Sequence, residues 1–226
     1  MVIFKEAVML GNTLKCFRPY VPSIRGEEYI CTHLDYDPEY TMTKVFFGGS
    51  RKLSRLNRAI RERADSIVAK GFGVLIGDAN GADKAMQKYL AEKGYQNVIV
   101  FCMDGTCRNN IGSWHTKVVT SKSEKKDFSY FAAKDKEMSE QADYGFMLWD
   151  GRSKGTLNNI INLLQCNKYV LVYFSPSKVF FTLKNRSDLQ NLLQKCDPIT
   201  VKRFNRTLRI TDRLIDVNTQ RQLKLA

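Results

Sequence analysis

What this 226-residue chain lacks narrows its class first. No apolar run approaches the roughly 20 residues that a membrane helix needs, and the N-terminus has neither the basic segment nor the long apolar stretch of a secretory signal. These absences predict a cytoplasmic protein with no membrane partner. No Cys-x-x-Cys pair occurs among Cys16, Cys31, Cys102, Cys107, Cys166 and Cys196, and histidine is found only at His33 and His115. Four clustered ligands are therefore missing, which argues against a structural metal site, and the scattered cysteines read as six free thiols. The GxxxxGK[ST] order of a P-loop and the GxGxxG of ordinary dinucleotide folds are both absent, so ATP hydrolysis and dinucleotide chemistry lose support and no cofactor is expected. There is no internal repeat and no low-complexity tract.

Acidic residues are also scarce: 23 Asp and Glu face 36 Lys and Arg, leaving a net charge of +13. The excess is uneven. Residues 42–70 carry eight cations against two acids, and residues 185–226 carry nine against four. A basic surface draws phosphates over long range, so nucleotides, nucleic acid and acidic partners are candidates, while a merely solubilising charge is the plain alternative. With 43% hydrophobic residues the chain can bury a sizeable core, and its length suits one domain with additions.

Pro19, Pro22 and Pro38 interrupt residues 1–41, which read as an irregular arm or as an extension upstream of a protein that begins at Met42. From Lys44 onward, short apolar runs alternate with longer amphipathic ones. This is the pattern of an α/β, Rossmann-like open sheet, mostly parallel, with helices on both faces. Strands are predicted at 44–48, 73–77, 97–102, 144–149 and 168–174, with an additional one over 178–183. Helical spacing places helices over 53–70 and 81–93, a third through Phe128, Phe131, Ala132, Met138 and Ala142, and a fourth through Leu157, Ile160, Ile161 and Leu164. Residues 103–124 read as a long loop with a short strand at 117–120. The domain proper is expected over 42–184. Residues 185–226 form a basic helical extension, with a helix over 189–193 and an amphipathic stretch over 199–215.

Three loops carry the candidate chemistry. Gly48-Gly49-Ser50-Arg51 follows the first of these strands: glycine permits close backbone approach, amides near a helix start favour an anion, and Arg51 adds a planar, permanent charge. Gly77-Asp78-Ala79-Asn80-Gly81-Ala82-Asp83 again joins strand to helix, and Asp83 reads either as a helix cap or as a contact for a ribose hydroxyl. Asp150-Gly151-Arg152-Ser153-Lys154-Gly155-Thr156 follows Trp149, combining glycine, hydroxyl and cations between strand and helix. Trp149 reads as core or as a wall for a stacked base. Loops at the carboxyl ends of parallel strands converge on one rim, so the three predict a single site.

Together these loops resemble the SLOG superfamily, the group of DNA-processing protein A and the cytokinin-activating LOG phosphoribohydrolases. The resemblance spans about residues 43–175 and leaves both ends outside. It implies a Rossmann-like nucleotide-binding fold whose members include enzymes, ligand sensors and DNA-binding proteins. The hydrolases of that group follow their glycine-threonine turn with a helix bearing a glutamate. Here Gly155-Thr156 leads into Leu157-Asn158-Asn159-Ile160, so Asn159 stands in that place, and an amide is neither a carboxylate nucleophile nor a base. Asp135 and Met138 resemble the positions from which relatives approach the pocket.

The leading expectation is therefore binding or sensing of a nucleotide or nucleotide-derived small molecule. The alternatives are hydrolysis of a nucleoside monophosphate to free base, with Asp135 and Asp83 as the candidate catalytic acids, and single-stranded nucleic-acid binding through the two basic stretches. Self-association into a homo-oligomer is left open.

Overall fold

Side chains along each central strand alternate between two cores, as a two-residue period requires. Val45 and Phe47, Val74 and Ile76, and Phe146 and Leu148 enter one hydrophobic cluster, while Phe46, Leu75, Met147 and Trp149 enter the other. A strand buried on both faces belongs inside a parallel sheet covered on both sides, and that is the architecture of the computed structural model, which describes residues 8–10, 13–15, 42–121, 126–210 and 212–213.

The chain divides into Met1–Tyr40 and Thr41–Ala226. In the first unit, β1 (Val8–Leu10) and β2 (Thr13–Lys15) pair antiparallel, with Val8 opposite Lys15. An irregular stretch is expected there, but Gly11-Asn12 between two short runs is itself a hairpin signal. In the second unit the order is β3 (Lys44–Gly49), α1 (Arg58–Ala69), β4 (Gly73–Gly77), α2 (Ala82–Glu92), β5 (Val98–Met103), β6 (His115–Val119) and α3 (Phe128–Gln141). Then come β7 (Tyr144–Trp149), α4 (Lys154–Gln165), β8 (Tyr169–Phe174), β9 (Val179–Leu183), α5 (Arg186–Leu193) and α6 (Pro198–Leu208). The seven-stranded sheet runs β6-β5-β4-β3-β7-β8-β9, parallel throughout except for β9 against β8.

Helices α1 and α2 cover one face through Ile60, Ala64, Ile67, Met86 and Leu90. Helices α3 to α6 cover the other through Met138, Leu157, Ile161, Leu189 and Phe204. Among the described residues no helix is long and apolar enough to cross a membrane.

Several boundaries move for identifiable reasons. Helix α1 starts at Arg58 rather than near 53, because Asn57 caps it by accepting from the Ile60 amide at 3.0 Å. The strand expected at 117–120 is β6, which begins at His115 and pairs in parallel with β5. The helix expected over 189–193 starts at Arg186, and α6 begins at Pro198, after the Asp197 cap. The amphipathic stretch expected over 199–215 ends at Leu214 and Ile215, which lie outside the described residues. The reading of six free thiols is corrected: Cys102 and Cys107 form a disulfide, their Cα atoms 5.0 Å apart. Positive φ at Asp104 and Gly105 turns the chain back beyond β5, which brings Cys107 beside Cys102. Cys166 and Cys196 are free, and Cys16 and Cys31 lie outside the described residues.

Candidate functional site

From β3 the strand order steps outward through β4, β5 and β6, then returns to β7 on the opposite side. The loops leaving the carboxyl ends of β3 and β7 therefore diverge and open a crevice. A cavity of about 540 Å³ occupies it.

Its floor is backbone. A Cβ on Gly49 would lie 2.6 Å from Ala82 Cβ and 2.7 Å from the Leu148 carbonyl oxygen, so only glycine lets β3, β7 and α2 approach this closely. Buried Ser50 ties the loops together: its amide donates to the Leu148 carbonyl at 2.9 Å, its carbonyl accepts from the Ala82 amide at 3.2 Å, and its hydroxyl donates to Asp150 Oδ2 at 2.9 Å. The other Asp150 oxygen accepts from the amides of Arg152 at 3.0 Å and Ser153 at 2.8 Å. Ser153 caps α4 in turn, its Oγ accepting from the Thr156 amide at 3.3 Å. Gly155, in the first turn of α4, is the exception among these constraints, since a Cβ there would meet nothing within 4 Å. Its side opens onto the cavity, beside first-turn amides that have no helical carbonyl to reach.

One wall is α3. Phe128, Phe131, Asp135 and Met138 recur at helical spacing and all line the cavity. Asp135 Oδ2 accepts from the Asn159 side-chain amide at 3.0 Å, and that amide also donates to the Gly155 carbonyl at 3.1 Å. A carboxylate from α3 thus sits directly against the residue that occupies the expected place of a glutamate on α4.

An ionic cluster centred on Asp78 forms part of the cavity wall through Arg108, Lys134, Asp83 and Asp135. Asp78, 2% exposed, accepts from Lys134 Nζ at 2.5 Å, from Arg108 Nη2 at 2.6 Å and Nε at 2.9 Å, and from the Arg108 amide at 3.1 Å. Burial alone would raise its carboxyl, but the Arg108 hydrogen bonds and the Lys134 ammonium outweigh it and hold the group well below the usual carboxylate range. Asp83 has no such fork. Burial pushes it up to about 7, against the pull of Lys134 and with the repulsion of Asp135 and Asp78. Burial likewise raises Asp135, opposed by Lys134 and by the Asn159 hydrogen bond. One lysine and one arginine thus face three acids. The β5–β6 segment that brings Arg108 is held by Gln87, which donates to the Gly77 carbonyl at 2.9 Å and accepts from the Ile111 amide at 3.1 Å.

Of the residues singled out from sequence, Gly48, Gly49, Ser50, Arg51, Gly77, Ala79, Asp83, Asp135, Asp150, Ser153, Gly155, Thr156 and Asn159 all line this one cavity. The others serve its frame. Asp78 anchors the two cations, and Ala82 is buried beneath Gly49. Gly81, at φ +87°, lets the second loop pass the Arg51 backbone, and Gly151, at φ +71°, turns the third loop beside Phe174. Lys154 Nζ lies 3.6 Å from the centroid of the Phe128 ring. Trp149 and Met138 are core residues, each nearly inaccessible, although Met138 reaches the cavity wall.

Sequence reasoning missed Arg108, Lys134, Phe128, Phe131 and Arg203 as site residues. Lys134 left a signal: it falls three residues after Phe131 and four before Met138, on the apolar stripe of α3, where a lysine needs a partner. Arg108 left none, because its partner lies 30 residues earlier across a loop. Arg203 precedes Phe204, whose burial against Trp149 (ring centroids 6.2 Å apart) fixes α6 over the third loop. Among the described residues no group of three or more His, Cys, Asp or Glu is placed to hold a metal ion.

No family model and no curated protein matches the chain. Among solved structures, the chain is similar to DNA processing protein A from Helicobacter pylori, a protein described for its single-stranded DNA binding mode. The TM-score is 0.46 at 16% identity, over 75% of this chain and 81% of that one.

Proposed function

We propose that this domain binds a nucleotide or a nucleotide-derived small molecule in the crevice between β3 and β7. The observation that carries the reading is the cavity of about 540 Å³ with two unlike sides. On one side the glycine backbones and the start of α4, where Ser153 already takes the Thr156 amide, offer the Gly155 amide and the helix dipole to a phosphate, with Arg51 beside them. On the other, Phe128 and Phe131, whose rings also meet Lys154 and Arg108, offer aromatic surface to a base, and Asp135 with Asn159 offers polar atoms to a ribose. Polar groups converging in a concavity at the switch point of a parallel sheet are what such small-molecule sites present.

Isothermal titration with matched nucleotide and nucleoside tests this. Arg51→Ala weakens the nucleotide by about 1.5–3 kcal/mol, the scale of a charged hydrogen bond, and the nucleoside much less. Equal losses for both ligands would remove Arg51 from the phosphate, and no binding of either would overturn the reading.

Hydrolysis of the N-glycosidic bond is the second reading, favoured by the contact between Asp135 and Asn159. The carboxylate absent from α4 is supplied there from α3, and burial keeps it more basic than a surface acid. Free base appearing in the same nucleoside monophosphate titrations, detected by chromatography, is the outcome that this reading requires.

A further inference from the structure

The mouth of the cavity carries more positive charge than one phosphate needs. Arg51 and Lys52 come from the segment after β3, Arg152 from the β7–α4 loop and Arg203 from α6, and all four line the cavity. None of them enters an ion pair among the described residues, whereas the other two cations of the lining, Arg108 and Lys134, are both bound to Asp78. Asp150, the acid at the mouth, is turned inward by Ser50 and the amides of its own loop. The four cations thus face the opening outside any ion pair among the described residues, with Asp197, at the start of α6, the acid whose charge reaches Arg152.

The placement of Arg203 is built into the fold. Phe204 is 1% exposed and packs on Trp149, and Trp149 Nε1 donates to the Ser153 carbonyl at 3.1 Å, so α6 is registered on the loop that begins α4. Successive helical residues point about 100° apart, so burying Phe204 in the core swings Arg203 to the flank that borders the opening. A helix outside the strand-to-helix loops therefore adds a guanidinium to their site.

We propose that the ligand carries a pyrophosphate, as a nucleoside diphosphate or a nucleotide-sugar does. This rests on the nucleotide reading above and specifies it. The phosphate nearer the nucleoside lies over Gly49, Gly155 and Thr156 with Arg51, in the space that the missing Gly155 side chain leaves open. The outer phosphate is held between Arg152 and Arg203. Guanidinium groups suit this role because their planar donors meet two oxygens at once and remain charged at any working pH.

The test is isothermal titration of the whole chain, at fixed ionic strength, with the nucleoside, monophosphate and diphosphate of each common base, and with inorganic tripolyphosphate. The diphosphate is expected to bind at least about tenfold more tightly than the monophosphate, the equivalent of one charged hydrogen bond. Arg203→Ala, at an exposed position, removes most of that advantage and changes monophosphate affinity by less than about twofold. Equal affinity for mono- and diphosphate, or equal loss of both in Arg203→Ala, overturns the pyrophosphate while leaving nucleotide binding in place. Tripolyphosphate binding as tightly as the diphosphate also overturns it, since charge alone would then suffice. If no nucleotide of any length binds, both readings fall.

Discussion

A methyl group added at Gly81 would fall 2.3 Å from the Arg51 carbonyl oxygen, whereas one added at Gly155 would meet nothing within 4 Å. At Gly81 the φ of +87° and the close backbone together leave no room for any L side chain. Gly155 has no such structural need, and glycine inside a helix costs stability relative to alanine. The two substitutions should therefore separate. Gly81→Ala is expected to lower the free energy of unfolding by about 2–3 kcal/mol, through strain and overpacking. Gly155→Ala leaves stability unchanged or raises it by about 0.5 kcal/mol while weakening nucleotide binding. Urea titration and calorimetric binding on both variants check this, and a Gly155→Ala protein that binds normally would move the phosphate elsewhere.

At the scale of elements, the Asp78 cluster joins three of them: the β4–α2 loop, the β5–β6 segment through Arg108, and α3 through Lys134. Removing Asp78 leaves buried Lys134 desolvated without compensation, while half-exposed Arg108 keeps its access to water. Asp78→Ala is accordingly expected to destabilise the domain by about 3–5 kcal/mol, with hydrogen exchange rising first in residues 104–114. A loss under about 1 kcal/mol would mean that water replaces the carboxylate, as at a surface pair. The same cluster marks where sequence reading ran out. Strands such as β4 and β7 were legible because both faces are apolar, and three loops at strand ends were legible because glycine, hydroxyl and charge occur there together. The start of α1 depended on which polar residue caps it, and β6, with His115, Thr116 and Lys117, lies at a sheet edge where only one neighbour requires it. Arg108 and Arg203 reach the site through contacts between distant segments, for which no local pattern exists.

For the molecule as a whole, the buried acids set how stability depends on pH. Asp83, pushed up to about 7 by burial, keeps a proton in the folded protein that the unfolded chain, with an ordinary value of 3.8, releases. Where the folded state binds the extra proton, stability falls as pH rises. This contribution therefore declines between about pH 4 and 7 and is level above that window. Asp135, also raised by burial, acts in the same direction. Asp78, held low by Arg108 and Lys134 against its burial, acts oppositely: its stabilisation is complete above 3.8 and is lost as pH falls further. The net charge of +13 adds self-repulsion that grows on acidification, but moderate salt screens it. Asp83→Asn keeps an acceptor for the Ala79 amide, which now donates to Asp83 Oδ2 at 3.3 Å, and removes the titration. Relative to the parent protein, the variant should gain about 1–3 kcal/mol on moving from pH 5 to pH 8, as a retained carboxyl proton requires. Urea unfolding of both proteins at the two pH values, in 0.3 M salt, measures the difference directly. A variant that instead loses ground at pH 8 would show that ionised Asp83 stabilises the fold through Lys134, and that Lys134 rather than burial governs its proton.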